Sequence, residues 1–524
     1  MGRDLGSRIR GLRPTPPVAI AILVLAPLAV IFTLPLQTGP VEIATQGGTR
    51  SLRNPRTAVV IAPPTTVQIE EEAAEPIPIL SVDPRTFLTA YEDSVVLQNL
   101  PSLCDAPPPP DAIHVATDGD DGGSGTADQP LATLNRAVDL VQPGQTVLVR
   151  GGEYRQTVTF AEKYGTPDAY ITLRAHPGEQ VTLIADVGED TIRFRRGNAY
   201  INVACFEMAG PGQRPEAAPS SPEEMRSRIL SGQAGPDRTP QNYGAGVDIG
   251  DRADTRAGYP LNHHIRIIGN DIHDYAEAGV SALETNHVTI IGNRTYRNAK
   301  YGCHSGSGIS LAYLVDGGGP DNNDGYSNYV VGNVSYENEN ISLQCFSDSI
   351  GPLITDGNGI IVDQNDLSGA YTARTLIADN VVYDNGGRGI MVFESSRVDV
   401  VNNLSFNNVL TPNLVGREGP HPEIAVSDAS DVRVYNNIAV PRAGHVAYSD
   451  RGAEVDERTN LFTEPGGERE LFDPSVLDEE RRFSLLPAAE ELLASGTPYL
   501  ATPSEDGAPI LVEPVLIGPI YNSG

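Results

Sequence analysis

Six segments of the chain repeat one pattern of apolar and polar positions: IIGNDIHDY (267–275), IIGNRTYRN (290–298), VVGNVSYEN (330–338), IADNVVYDN (377–385), VVNNLSFNN (400–408) and VYNNIAVPR (434–442). Two apolar-rich positions lead into Asn270, Asn293, Asn333, Asn380, Asn403 and Asn437. Three residues later stand His273, Tyr296, Tyr336, Tyr383, Phe406 and Val440. The asparagines are spaced 23, 40, 47, 23 and 34 residues apart. A period in the twenties with strand-like triplets and turn asparagines predicts a parallel β-solenoid; longer intervals add an insertion or a second coil. Coils stack at about 4.8 Å, so each strand pairs with those above and below it. A stacked asparagine amide satisfies turn backbone groups that would otherwise be buried unpaired. The aromatics are expected to stack inside as well, which makes both sets scaffold.

A second pattern starts at glycine: GVDIG (246–250), GVSALE (279–284), GISLAY (308–313), GIIVD (359–363) and GIMVFE (389–394). Alternation turns Val247, Val280, Ile309, Ile360 and Ile390 inward and the second and fourth residues outward. The outward set is polar: Asp248, Ser281, Ser310 and Asp363, with Asn358 and Arg388 one residue before their glycines and Glu284 and Glu394 closing two strands. This predicts a saccharide groove along one face, bound by Asp248, Ser281, Glu284, Ser310 and Asn358.

The chain ends differ in character. Residues 18–36, VAIAILVLAPLAVIFTLPL, carry no charge and follow Arg3, Arg8, Arg10 and Arg13. As a helix they reach about 28 Å, a hydrocarbon thickness, and the basic flank predicts a cytoplasmic start at 1–17 with the remainder translocated. No small-x-small site follows, so an uncleaved single-pass anchor is expected over a cleaved signal, which would leave the protein secreted. Residues 37–110 are polar and proline-rich and read as a disordered linker. The solenoid is then expected over 111–450, with a capping segment and tail at 451–524.

Composition narrows the function. With 37 basic and 68 acidic residues the formal charge is −31, which excludes a nucleic-acid footprint. Only Lys163 and Lys300 are lysines. Cys104, Cys205, Cys303 and Cys345 show no metal-ligand spacing; outside the cytoplasm they permit two disulfides in three pairings, or remain buried thiols.

The segment HVATDGDDGGSGTADQPLATLNRAVDLVQPGQTVLVRGGEY (114–154) resembles the opening of right-handed parallel β-helix proteins of the pectate lyase and related polysaccharide lyase families. There a strand, a Gly/Asp-rich turn, a capping helix and a PGDTV-like turn follow one another. The helix is expected from about Asp128, with Pro130 in its first turn and Pro143-Gly144 ending it. AYITLRAHPGEQVTL and NAYINVACFEMAG resemble the first coils, and LFDPSVLDEERRFSLLPAAEELLASGTPY a degenerate closing segment. The resemblance implies an all-β, right-handed parallel β-helix with an N-terminal capping helix, and an acidic polysaccharide as substrate.

TDGNGIIVDQND (355–366) resembles the active-site coil of family-nine pectate lyases, in which a lysine stands two residues after the glycine; here that position is Ile361. β-Elimination on a uronate needs a neutralised carboxylate and a base. Lys300 and His304 are the base candidates and Arg388 the neutraliser. Asp356, Asp363 and Asp366 are candidate ligands for Ca²⁺. Asp118, Asp120 and Asp121, and Asp316, Asp321 and Asp324, read as acidic turns. A glycoside hydrolase needs two carboxylates instead, for which Asp363 and Glu394 fit if they stack on adjacent coils. The third reading is a monomeric carbohydrate-binding or surface-assembly protein with no chemistry.

Overall fold

The computed structural model describes residues 21–25, 28–32, 103–212, 219–231, 233, 243–304, 306–317, 325–342, 355–369, 371–411, 419–467, 499–503 and 509–512. The chain divides into two compact units, 1–72 and 73–524. In the first, the apolar run forms no helix where it is described. Ala21–Leu25 and Leu28–Phe32 are strands paired antiparallel. Pro27 between them lacks the amide donor a continuous helix needs. The remainder of the expected anchor lies outside the described residues, and no described helix is long and apolar enough to cross a membrane.

The second unit is the predicted solenoid, a right-handed parallel β-helix. Each full coil supplies one strand to each of three parallel sheets. The first sheet includes Val247–Ile249, Val280–Leu283, Ile309–Ala312, Ile360–Asp363, Ile390–Phe393 and Pro422–Ser427, each in register with the next. The second includes His263–Ile268, Asn286–Ile291, Tyr326–Val331, Arg374–Ala378, Val398–Val401 and Val432–Tyr435. The third has ten short strands, from Gly152–Arg155 to Leu461–Phe462, so the coils continue past residue 450. Ile192–Ala204 serves the first two sheets at once, bending where Arg196 and Gly197 take positive φ. Inward residues such as Val280, Ile309, Ile360, Ile390, Ile290 and Val400 fill one continuous core and are fully buried.

Two asparagine ladders run along the stack. Oδ1 of each predicted asparagine accepts both the backbone N–H and the Nδ2 of the one before it: Asn293 from Asn270, Asn333 from Asn293, and so on through Asn437 to Asn460, all at 2.9–3.0 Å. Five residues further along each coil, Asn298, Asn338, Asn385 and Asn408 repeat the arrangement at 2.8–3.1 Å. Glu423 terminates this second ladder, accepting from the Asn408 backbone at 2.9 Å, its Nδ2 at 2.5 Å and Ser405 Oγ at 2.8 Å. Glu423 is fully buried, and burial pushes its carboxyl up to about 7 against those bonds.

Three expectations change. The aromatics lie outside the coil: the inward residue of each third-sheet strand is the middle one, Ile272, Thr295, Ser335 or Val382, so alternation turns the next one out. His273, Tyr296, Tyr336 and Tyr383 stack on the outer face at 4.7–4.9 Å, half-buried apart from His273. The capping helix runs Leu134–Leu140 rather than from Asp128. Its N-cap is Thr133, whose Oγ accepts from Arg136 N–H and donates to Asp121. Asp121 also accepts from the Ala132 and Thr133 amides, so this acidic turn braces the cap. Finally, residues from Leu103 on, inside the segment expected as linker, belong to the described body. A Cys104–Cys205 disulfide and the buried Arg174, which donates to the carbonyls of Ala106 and Pro107 at 2.8 and 3.2 Å, hold the end of the linker. Cys303 is disulfide-bonded too.

Candidate active site

Strand register sorts the candidates into columns. On the outer face of the first sheet, Asp248, Ser281, Ser310, Ile361 and Met391 share one column. Ala312, Asp363 and Phe393 share the next. Glu284, Tyr313, Gln364 and Glu394 occupy the following turn, each with φ between 45° and 56°. The stripe is therefore polar over its early coils and apolar at Ile361, Met391 and Phe393. Asp248 bonds Arg195 at 2.6 Å, and burial together with the neighbouring Asp190 charge moves its carboxyl upward against that bond. Glu284 pairs with Arg252 at 3.2 Å, whose guanidinium lies over the Tyr313 ring.

Asp363 is the most perturbed carboxyl on this face. Burial pushes it up to about 8, with the charges of Asp356 and Glu394 adding to the shift. It does not stack on Glu394. Asp363 is the fourth residue after its glycine and Glu394 the fifth, so Asp363 lies over Phe393, while Glu394 lies under Gln364, whose Nε2 donates to it at 3.5 Å. The two acids sit on neighbouring coils, offset by one residue.

Other expectations are corrected. Asn358 is fully buried rather than lining the groove. Its amide donates to Asp356 Oδ1 at 3.1 Å and Ser307 Oγ at 3.3 Å and accepts from the Arg388 backbone at 2.8 Å; like Ala245, Ala278 and Ser307 before their glycines, it turns into the coil. Asp366 binds Ser396 through both oxygens, at 2.9 and 2.7 Å. Asp316 likewise bonds Thr372. Asp356, Asp363 and Asp366 are not brought together as a ligand cluster, so the Ca²⁺ site expected of them does not form. Among the described residues the only cluster with metal-ligand spacing is Glu277, Cys303 and His304. The Cys303 sulfur is in a disulfide, which leaves two ligands, too few for a zinc site.

That cluster does contain a positioned histidine. Glu277, buried one coil below, accepts from His304 Nδ1 at 3.0 Å and from the Cys303 and His304 amides at 3.0 and 3.2 Å. His304 itself is exposed. Its ring packs near Tyr243. Glu277 was absent from the sequence reading, although AEAGV places it two residues before a strand-opening glycine. Lys300 lies apart, paired with Glu339 at 3.0 Å in a cleft of about 430 Å³ that none of His304, Asp356, Asp363, Arg388 or Glu394 lines. The six residues thus occupy three places: the cleft, the turn entering the first sheet, and the far end of its strands.

Residues 113–218 match a family described as the Pel9A-like, right handed beta helix region. Over 72 residues the chain is 42% identical to the pectate lyase PEL9 of Emericella nidulans, a match that spans 14% of this chain and 18% of that relative. Solved structures similar to it include the pectate lyase Pel9A (TM-score 0.44, 14% identity, 74% of this chain and 92% of that one). The complex of XylC with xylose (0.38, 13%, 78% and 98%) and a rhamnogalacturonan lyase (0.33, 14%, 72% and 97%) are others. The chain is a right-handed parallel β-helix protein that resembles the pectate lyases, most closely in sequence over its opening coils.

Proposed function

We propose that this protein hydrolyses glycosidic bonds of a polysaccharide lying along the outer face of the first sheet, with Asp363 as general acid and Glu394, offset by one residue on the next coil, as the second carboxylate. The observation that carries this reading is the placement of Asp363: an outward carboxyl enclosed beside Phe393, which burial first, and then the charges of Asp356 and Glu394, push up to about 8. A glycosidase acid must donate that proton to the leaving oxygen, while a second carboxylate acts on the sugar carbon or its water. An acidic face on a chain of net charge −31 supports an uncharged polymer over a uronate. A lysine-based elimination has no support, since the outward residue where it would stand is Ile361.

β-Elimination of an acidic polysaccharide is the second reading, favoured by the Glu277-held His304 as base and by the name of the PEL9 relative. Incubating the protein with neutral and uronate polymers separates the two. New reducing ends without an unsaturated, ultraviolet-absorbing product support hydrolysis. The unsaturated product, lost in His304→Ala and kept in Asp363→Asn, reverses the order, and neither product leaves a binding protein. The Cys104–Cys205 disulfide supports an extracytoplasmic location, which protease accessibility on intact cells tests.

A further inference from the structure

We propose that the cleft holding Lys300 is a second carbohydrate site, which binds an extended uncharged glycan along the helix axis, separately from the first-sheet carboxylates. The cleft lies where the third sheet turns toward the first. One wall is a single turn position repeated coil after coil: Asp274, Arg297, Glu337 and Asp384, with φ of 63°, 54°, 54° and 53°. Identical backbone geometry therefore presents a polar side chain at every coil rise, about 4.8 Å, a spacing comparable to the advance of one sugar ring in an extended glycan. Tyr301 and Leu410 give the cleft apolar surface.

The charges select the ligand. Both cations are committed: Arg297 to Asp274 through two bonds at 2.8 and 2.7 Å, and Lys300 to Glu339 at 3.0 Å. With Glu337 and Asp384 the lining holds four carboxylates against two cations, so a uronate or phosphate meets net repulsion. A polyhydroxylated ligand suits both sets. Its hydroxyls donate to carboxylate oxygens and accept from guanidinium and ammonium hydrogens, while its C–H faces rest on Tyr301 and Leu410. A volume of about 430 Å³ lies within the roughly 300–1,000 Å³ of sites that enclose small ligands.

The test is calorimetric titration of the full chain carrying Asp363→Asn with cellohexaose, xylohexaose and a galacturonate hexamer. At least one neutral hexamer is expected to bind and the galacturonate not. Tyr301→Ala and Leu410→Arg are each expected to weaken that binding about tenfold with no change in melting temperature. Leu410 is exposed, so its substitution keeps the test valid if Tyr301→Ala fails to fold. The proposal is overturned if no neutral hexamer binds, if the galacturonate binds more tightly, or if Leu410→Arg keeps full affinity. A chain that binds at the cleft without cutting any polymer refutes only the hydrolysis, and one that cuts with no binding at the cleft refutes only this site.

Discussion

Burial raises the carboxyls of Asp363 and Glu423 in the folded chain. Their folded values, about 8 and about 7, lie above the roughly 4 of free carboxyls. Between those limits the native state binds more protons, so the stability they confer is complete below about pH 4 and disappears as pH rises through about 7 to 8. Thermal melting is expected to weaken between about pH 5 and pH 8, and Asp363→Asn to flatten that slope; an unchanged slope rejects the assignment of the proton. The same substitution should lower turnover on the preferred polymer by about 100-fold or more, the usual worth of a positioned acid, and wild-type kcat should decline above about pH 8. Asp363 was legible from strand alternation alone. Its one-residue offset from Glu394 was not, because a one-residue difference in count moves a side chain from strand to turn.

At the level of the element, the ladders govern which positions tolerate change. Asn333→Ala removes the Oδ1 that takes two donors from Asn293 and the Nδ2 that serves the Ile290 carbonyl. A loss of about 1–3 kcal/mol is expected from the groups left unsatisfied, measurable by urea unfolding. Glu423→Gln should cost a similar amount, since one amide oxygen cannot accept from Asn408 and Ser405 while its NH₂ faces the same donors. Equal stability of that variant and wild type would mean the ladder has no need of an acceptor at its end. The first ladder was visible as a repeated letter; the second was equally visible at the ends of the segments finishing in Asn298, Asn338, Asn385 and Asn408. The inward placement expected for the aromatics failed because the residue two after each asparagine, such as Ile272 or Thr295, takes the inward position and alternation turns the next one out.

For the molecule as a whole, the solenoid is closed at its opening end by the capping helix and by the Cys104–Cys205 link, which joins residues 101 apart. Cys104→Ser should cost about 2–4 kcal/mol by freeing a loop of that length, read as a lower denaturant midpoint for the first coils. Arg174 still bonds the Ala106 and Pro107 carbonyls, so local fraying rather than global loss is expected in hydrogen exchange. No change at all would show that these carbonyl bonds suffice.

What the sequence determined by itself is the solenoid and its register, because stacking obliges every coil to present the same residue type at the same place and so writes the fold as a repeat. Which acids meet was decided by the tertiary structure. Whether Asp363 keeps its proton, whether Glu277 reaches His304, and whether Asp366 is free or taken by Ser396 depend on turns of unequal length between identical strands. Those turns carry no repeat, and the burial they create, rather than any letter in the chain, sets the chemistry of the groups beneath them.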